Sequence, residues 1–257
     1  MLWFSQEFRP GLWVGFTNSD AGNLAFHVGD DPARVRHNRD ALDAGIGALG
    51  GSGTPTTLHY MNQVHGNDVA VLAAPNAETP AAEAPTADAL VSRSASLAVM
   101  VADCVPVVLA GVDADGTPMV GVAHAGRPGV EKGVVEATVR ELRLAGAQSL
   151  QAWIGPSVCG RCYEVPAAMR DAVAAVAPAA FATTSWGTPA LDLPAAVEWQ
   201  LGQLGVNARN VGVCTLEHPE FFSHRRAVRD GEAEGRFIGF AALLAPNPLS
   251  TAKEPRP

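Results

Sequence analysis

Three short apolar runs, at residues 97–100, 105–109 and 119–123, constrain this chain more than any other feature. The first two are rich in β-branched residues and all are too short to be buried helices, so they read as strands. A strand apolar at successive positions must be covered on both faces, which places the sheet in the interior. Asp113 to Gly116 forms a turn, so 105–122 is expected to fold as a hairpin. A helix over 130–144 and a strand at 150–154 complete a βαβ unit. Earlier, Asp31 caps and Pro32 opens a helix that runs to Leu49. Later come a helix at 194–204, a strand at 211–214 and a last apolar segment at 237–244. The mixture predicts an α/β (α+β) fold with mixed sheets, and not a parallel doubly wound sheet.

No repeat or composition break divides the chain, which reads as one domain over 1–245. The Ala/Pro/Glu-rich stretch 73–86 reads as a surface loop. Residues 246–257, with four prolines, read as a disordered tail. With 47% hydrophobic and 17% charged residues, the 257-residue chain can build its core without staples. A net charge of -8 and a pI near 5.3 disfavour nucleic acid as a partner, since phosphate neutralisation needs clustered Lys and Arg. The start of the chain lacks a basic segment followed by an apolar run, and no stretch is long enough to span a bilayer. The expected location is the cytoplasm, where Cys104, Cys159, Cys162 and Cys214 would be thiols.

Reactive side chains sit where strands meet loops in three segments: His65 in Asn-Gln-Val-His-Gly (62–66), Cys104 in Ala-Asp-Cys-Val-Pro (102–106), and His124 opening 124–129. Two imidazoles and a thiolate suit Zn²⁺ and leave a fourth position open, as catalytic zinc requires. The spacing fits no compact zinc pattern, and each residue alone reads equally well as packing or as a hydrogen-bonded structural group. A helix beginning near Pro128 would turn its N-terminus, with Arg127, toward an anion beside His124. The Cys159-x-x-Cys162 pair lacks the early strand-to-helix setting of a thioredoxin-like pair and reads as structural. His218-Pro-Glu220 with that pair is half of a zinc-deaminase signature, but in reversed order.

Taken together, residues 23–31, 62–66, 102–109, 124–129, 155–157, 162–165, 214–215 and 221–226 resemble the laccase-domain family. That family was long labelled multicopper polyphenol oxidase and is now associated with purine nucleoside phosphorylase activity. The resemblance implies a layered α/β/β/α sandwich, akin to bacterial toxins with a Cys–His hydrolase site. It also implies metal ligation by His65, Cys104 and His124. This chain departs from the family pattern at Arg127-Pro128, in place of an aromatic residue and arginine, and at Arg161-Cys162, in place of paired cysteines. The oxidase label is disfavoured: a multicopper centre needs roughly ten histidines, many in H-x-H pairs, and this chain has seven and no such pair.

The leading expectation is therefore zinc-dependent phosphorolysis of adenosine, inosine or methylthioadenosine, with adenosine deamination beside it. Copper is the alternative metal, and phosphate and a purine nucleoside the small-molecule partners. Asn23, Gln63, Arg127 and Arg225 are candidates for substrate contacts. The rivals are a metal-free hydrolase of cell-wall precursors, using Cys104 as nucleophile and His124 as base, and a non-catalytic nucleoside- or metal-binding module.

Overall fold

The computed structural model describes residues 1–51, 53–73 and 84–245. In chain order, β1 (Leu2–Arg9) and β2 (Leu12–Thr17) form a hairpin that precedes α1 (Pro32–Leu49) and β3 (Leu58–His59). Next come β4 (Val69–Leu72), β5 (Ala89–Ser92), β6 (Ser96–Val101), β7 (Val105–Val112) and β8 (Pro118–Ala125). Helices α2 (Arg127–Lys132) and α3 (Val134–Leu144) lead to β9 (Ser149–Ile154) and α4 (Ala167–Val176). The chain continues through β10 (Phe181–Thr183), β11 (Pro189–Leu191), α5 (Leu193–Gln203) and β12 (Asn207–Asn210). It closes with α6 (His224–Asp230) and β13 (Phe237–Leu243).

Two mixed sheets result, in the orders β1-β2-β13-β6-β3 and β12-β9-β7-β8-β5-β4, with β10 and β11 as a separate antiparallel ribbon. The unbroken apolar runs follow from the layering. Val108 and Ala110 of β7 face the other sheet, beside Phe16, Val99, Val122 and Trp153. Val107 and Leu109, on the opposite pleat, pack under Val139 and Leu142 of α3 and Val197 and Leu201 of α5. On the far side, Leu42 and Ile46 of α1 cover Ile238 and Phe240 of β13. The layers are thus helix, sheet, sheet and helix, the sandwich that the resemblance to the laccase-domain family implies.

Several expected elements match closely. Asp31 accepts from the Ala33 amide as the cap of α1, and β7–β8 is the hairpin around Asp113. The βαβ unit is present in split form: β8 and β9 run parallel, but β7 lies between them, antiparallel to both. Two expectations are corrected. The helix expected over 130–144 is two helices, because Gly133 takes a left-handed φ of 77° and breaks the ladder after Lys132. The strand expected at 211–214 is only the exit from β12: Gly212 turns with φ 69° and its amide bonds back to Asn210 Oδ1 at 2.9 Å. The loop expected at 73–86 falls largely outside the described residues, as does the whole of 246–257. No helix among the described residues is long and apolar enough to cross a membrane.

Candidate functional site

Three separate elements deliver His65, Cys104 and His124 to one spot. His65 lies in the loop between β3 and β4, Cys104 at the turn between β6 and β7, and His124 near the end of β8. Their ligand atoms all lie within 4.8 Å of one another. His65 Nε2 is 3.9 Å from Cys104 Sγ, and the two imidazoles meet edge to face with centroids 4.7 Å apart.

The convergence is enforced by Asp88, the residue before β5, which is fully buried. Its carboxylate accepts the amides of Val64, His65 and Gly66 at 3.1, 2.9 and 2.6 Å, and His124 Nδ1 at 2.8 Å. One side chain therefore fixes the His65 loop and the His124 ring together. With Nδ1 committed to Asp88, His124 presents Nε2 to the site, the usual carboxylate–histidine support of a metal ligand. Asp103 plays the matching part for Cys104. It accepts Thr215 Oγ1 at 2.6 Å and the Arg225 amide at 2.7 Å, while its carbonyl accepts the Val158 amide at 3.0 Å. His65 (φ 58°) and Asp103 (φ 79°) are the only non-glycine residues with positive φ among those described. Strain of this kind persists where the surroundings over-determine it.

Burial alone would raise the Cys104 thiol, but the charge and N–H of His124, with a smaller contribution from His65, hold it down at about 6. Burial likewise opposes protonation of His124, yet Cys104 and the Asp88 hydrogen bond lift it to about 9. Asp88 is held at about 2, against its burial, by hydrogen bonds from His124 and the Gly66 amide. Near neutral pH Asp88, His124 and Cys104 are a carboxylate, an imidazolium and a thiolate. That pairing serves equally to receive a cation in place of the proton or to activate sulfur.

The donor set fits a metal ion. Sulfur and two imidazole nitrogens suit Zn²⁺ or copper, and the neighbouring glycine keeps the space clear. A Cβ built on Gly126 would fall 2.9 Å from His65 Cδ2 and 3.1 Å from Cys104 Sγ. Gly126→Ala is accordingly expected to push the ligands apart and weaken metal binding about tenfold or more, with the fold intact. Metal retention on dialysis against a graded chelator, beside a melting curve, checks this.

A cavity of about 240 Å³ opens above the trio, walled by Gln63, Met100, Ala102, His27, His224 and Arg236. That is somewhat below the roughly 300–1,000 Å³ usual for small-molecule sites. Of the four candidate contact residues, Gln63 borders the cavity, with both amide atoms engaged by the Met100 backbone at 2.8 and 2.9 Å. Asn23 is buried and organises its own loop, accepting the Ala25 and Arg236 amides at 3.0 Å each. Arg127 is paired with Glu131, four residues on. Arg225 donates to the Glu164 carbonyl at 3.1 Å and lies over the Tyr163 ring. Sequence reasoning missed Asp88, Asp103, His27, His224 and Arg236. Arg236 and His224 both hold Glu234, at 3.0 Å each, so one carboxylate ties these two wall residues together.

The sequence model of the family described as multi-copper polyphenol oxidoreductase laccase matches residues 14–244. The chain belongs to this family. Within it, a protein of Streptomyces coelicolor named purine nucleoside phosphorylase is 46% identical over 250 residues, covering 91% of this chain and 96% of its own. One of the same name from Streptomyces griseus is 45% identical over 238 residues, covering 90% and 91%. The crystal structure of YlmD from Geobacillus stearothermophilus superposes with a TM-score of 0.74 at 29% identity, over 93% of this chain and 98% of that one. The relatives' names support an enzyme of the phosphorylase type, and the His65–Cys104–His124 donor set is compatible with zinc or copper.

Proposed function

We propose that this chain is a zinc-dependent purine nucleoside phosphorylase acting on adenosine, inosine or methylthioadenosine, with hydrolytic deamination of adenosine as a second activity of the same pocket. The observation that carries the reading is the Asp88-braced His65–Cys104–His124 trio lining a cavity. Zinc bound there would act as a Lewis acid on a substrate oxygen or on water. Asp88 and Asp103 keep the ligands in place without rearrangement, as a preorganised site requires. Arg236, His27 and His224 are the cationic or N–H-bearing groups facing the cavity, and they are the residues we assign to phosphate or ribose. Arg127, which is not among the residues lining the cavity, is the weaker choice. The apolar faces of Met100 and Ala102 are available to a purine ring.

The test is hypoxanthine release from inosine and phosphate by zinc-loaded protein. Release should depend on phosphate and fall at least about a thousandfold in His65→Ala. Equal release by that variant would remove the proposal.

The depressed Cys104 thiol beside His124 and Asp88 favours one second reading, a metal-free hydrolase with a Cys–His–Asp arrangement. In that case chelation would leave hydrolysis of an amide substrate untouched, whereas phosphorolysis would stop.

A further inference from the structure

A second set of ligand-type atoms stands apart from the trio. Cys159, Cys162, Cys214 and Glu217 each offer one, and all four lie within 4.8 Å of one another. They come as two turns of identical spacing, Cys159-x-x-Cys162 and Cys214-x-x-Glu217. In the first, the Cys162 and Tyr163 amides both donate to the Cys159 carbonyl at 3.0 Å; in the second, the His218 amide donates to the Cys214 carbonyl at 3.1 Å. A bridge between Ser157 and Cys214 holds the turns side by side. The Cys159 amide points at Cys214 Sγ at 3.4 Å, and Cys162 Sγ stands 3.5 Å from Glu217 Oε1. In a tetrahedron with bonds of roughly 2.0–2.3 Å, neighbouring ligands are about 3.3–3.8 Å apart.

Two simpler accounts fail on particular atoms. As apolar filler, Cys162 and Cys214 do pack with Val158, but filler does not explain a carboxylate aimed at a buried sulfur. As a disulfide, any pairing would leave the third thiol unused, and all four cysteines of the chain are free; Glu217 meets Arg161 with Oε2 at 3.6 Å, which leaves Oε1 turned to Cys162. Cys159 and Glu217 are the more exposed members, giving an ion a way in.

We propose that Cys159, Cys162, Cys214 and Glu217 form a second, structural metal site for a thiophilic divalent cation, with Zn²⁺ as the fitting ion. Four protein ligands close the coordination sphere, so this site does no chemistry on substrate. Its effect is mechanical. The two turns it ties together carry Val158 and Thr215, which hold Asp103 from either side. Asp103 in turn sets the backbone at Cys104. The ion is thus a positioning element beneath the candidate active site.

The experiment uses the full chain with His65→Ala and His124→Ala, which removes the imidazoles of the first centre. After chelation, reduction and reloading with Zn²⁺, this variant should retain about one zinc per chain. Adding Cys159→Ser and Cys214→Ser should abolish retention. Co²⁺ should give thiolate-to-metal charge-transfer absorption in the first protein and not in the second. In the unsubstituted chain, which needs no variant to fold, Zn²⁺ should slow iodoacetamide labelling of Cys159 and Cys162 by about tenfold or more, read peptide by peptide. Zinc-free double-His variant, or labelling of these two cysteines at equal rates with and without Zn²⁺, overturns the site. Air oxidation to a disulfide among them in the presence of excess Zn²⁺ overturns it equally. None of these readouts depends on phosphorolysis, so the result stands apart from the fate of the proposed activity.

Discussion

Asp88→Ala should cost the protein both its metal and much of its stability. Four donors converge on that carboxylate, three of them main-chain amides of a single loop. Removing it strands the His65 loop amides and frees the His124 ring to rotate. The loss of a buried, multiply bonded carboxylate costs about 3–5 kcal/mol. Loss of the orienting partner alone weakens metal binding about 10–100-fold, and here the partner of one histidine is also the anchor of the other. Zinc titration and denaturant unfolding measure the two effects. The pH dependence has a definite sign. The folded Asp88 carboxyl sits at about 2, below the roughly 3.9 of an unfolded chain. Its ionised form therefore contributes stability that is complete above pH about 4 and is lost as pH falls toward 2. The gap between the parent and Asp88→Ala should accordingly be largest at neutral pH and narrow in acid. A gap independent of pH would mean that Asp88 contributes by packing and not by charge.

The second large effect concerns sulfur reactivity. In metal-stripped protein, alkylation of Cys104 should follow a titration centred near pH 6, the thiolate fraction rising with pH through that point. His124→Ala withdraws the cation that outweighs burial, so the thiol should move well up. At pH 7 labelling should then slow by about 30–100-fold. Zinc should protect Cys104 in the parent and far less in the variant. Should the midpoint stay near 6 without His124, the credit for holding the thiolate passes to His65, and the Cys–His pairing behind the hydrolase reading weakens with it.

The sequence was legible wherever a residue type carried its own constraint. The two-faced apolar runs of β6, β7 and β8 could be nothing but interior strands, and Asp31 with Pro32 fixed the start of α1. The trio could be named because the motifs that carry it resemble those of the laccase-domain family; residue types at strand ends made it only a candidate. What escaped was the support. Asp88 and Asp103 are single acids whose importance lies in backbone amides 22 to 24 and 122 positions away, and no local pattern announces such partners. The hairpin β1–β2 was missed although Pro10-Gly11 between two aromatic runs is a turn signal. Gly133 was passed over because a lone glycine in an otherwise helical pattern is usually tolerated; here its left-handed backbone ends one helix and begins another. Gln63 and Asn23 look like polar contacts waiting for a ligand, and the fold spends both on main-chain hydrogen bonds.

The place of β13 has a temporal consequence. This strand, made after every other strand of the two sheets, lies in the middle of its sheet, with β2 on one side and β6 on the other. Until it arrives, β2 and β6 have no common neighbour, and Arg236 just ahead of it cannot take its seat in the cavity wall. A ribosome-bound chain halted before residue 237 would expose two raw strand edges and lack a finished pocket. Ligand binding should thus switch on only once β13 has been made and not accumulate strand by strand.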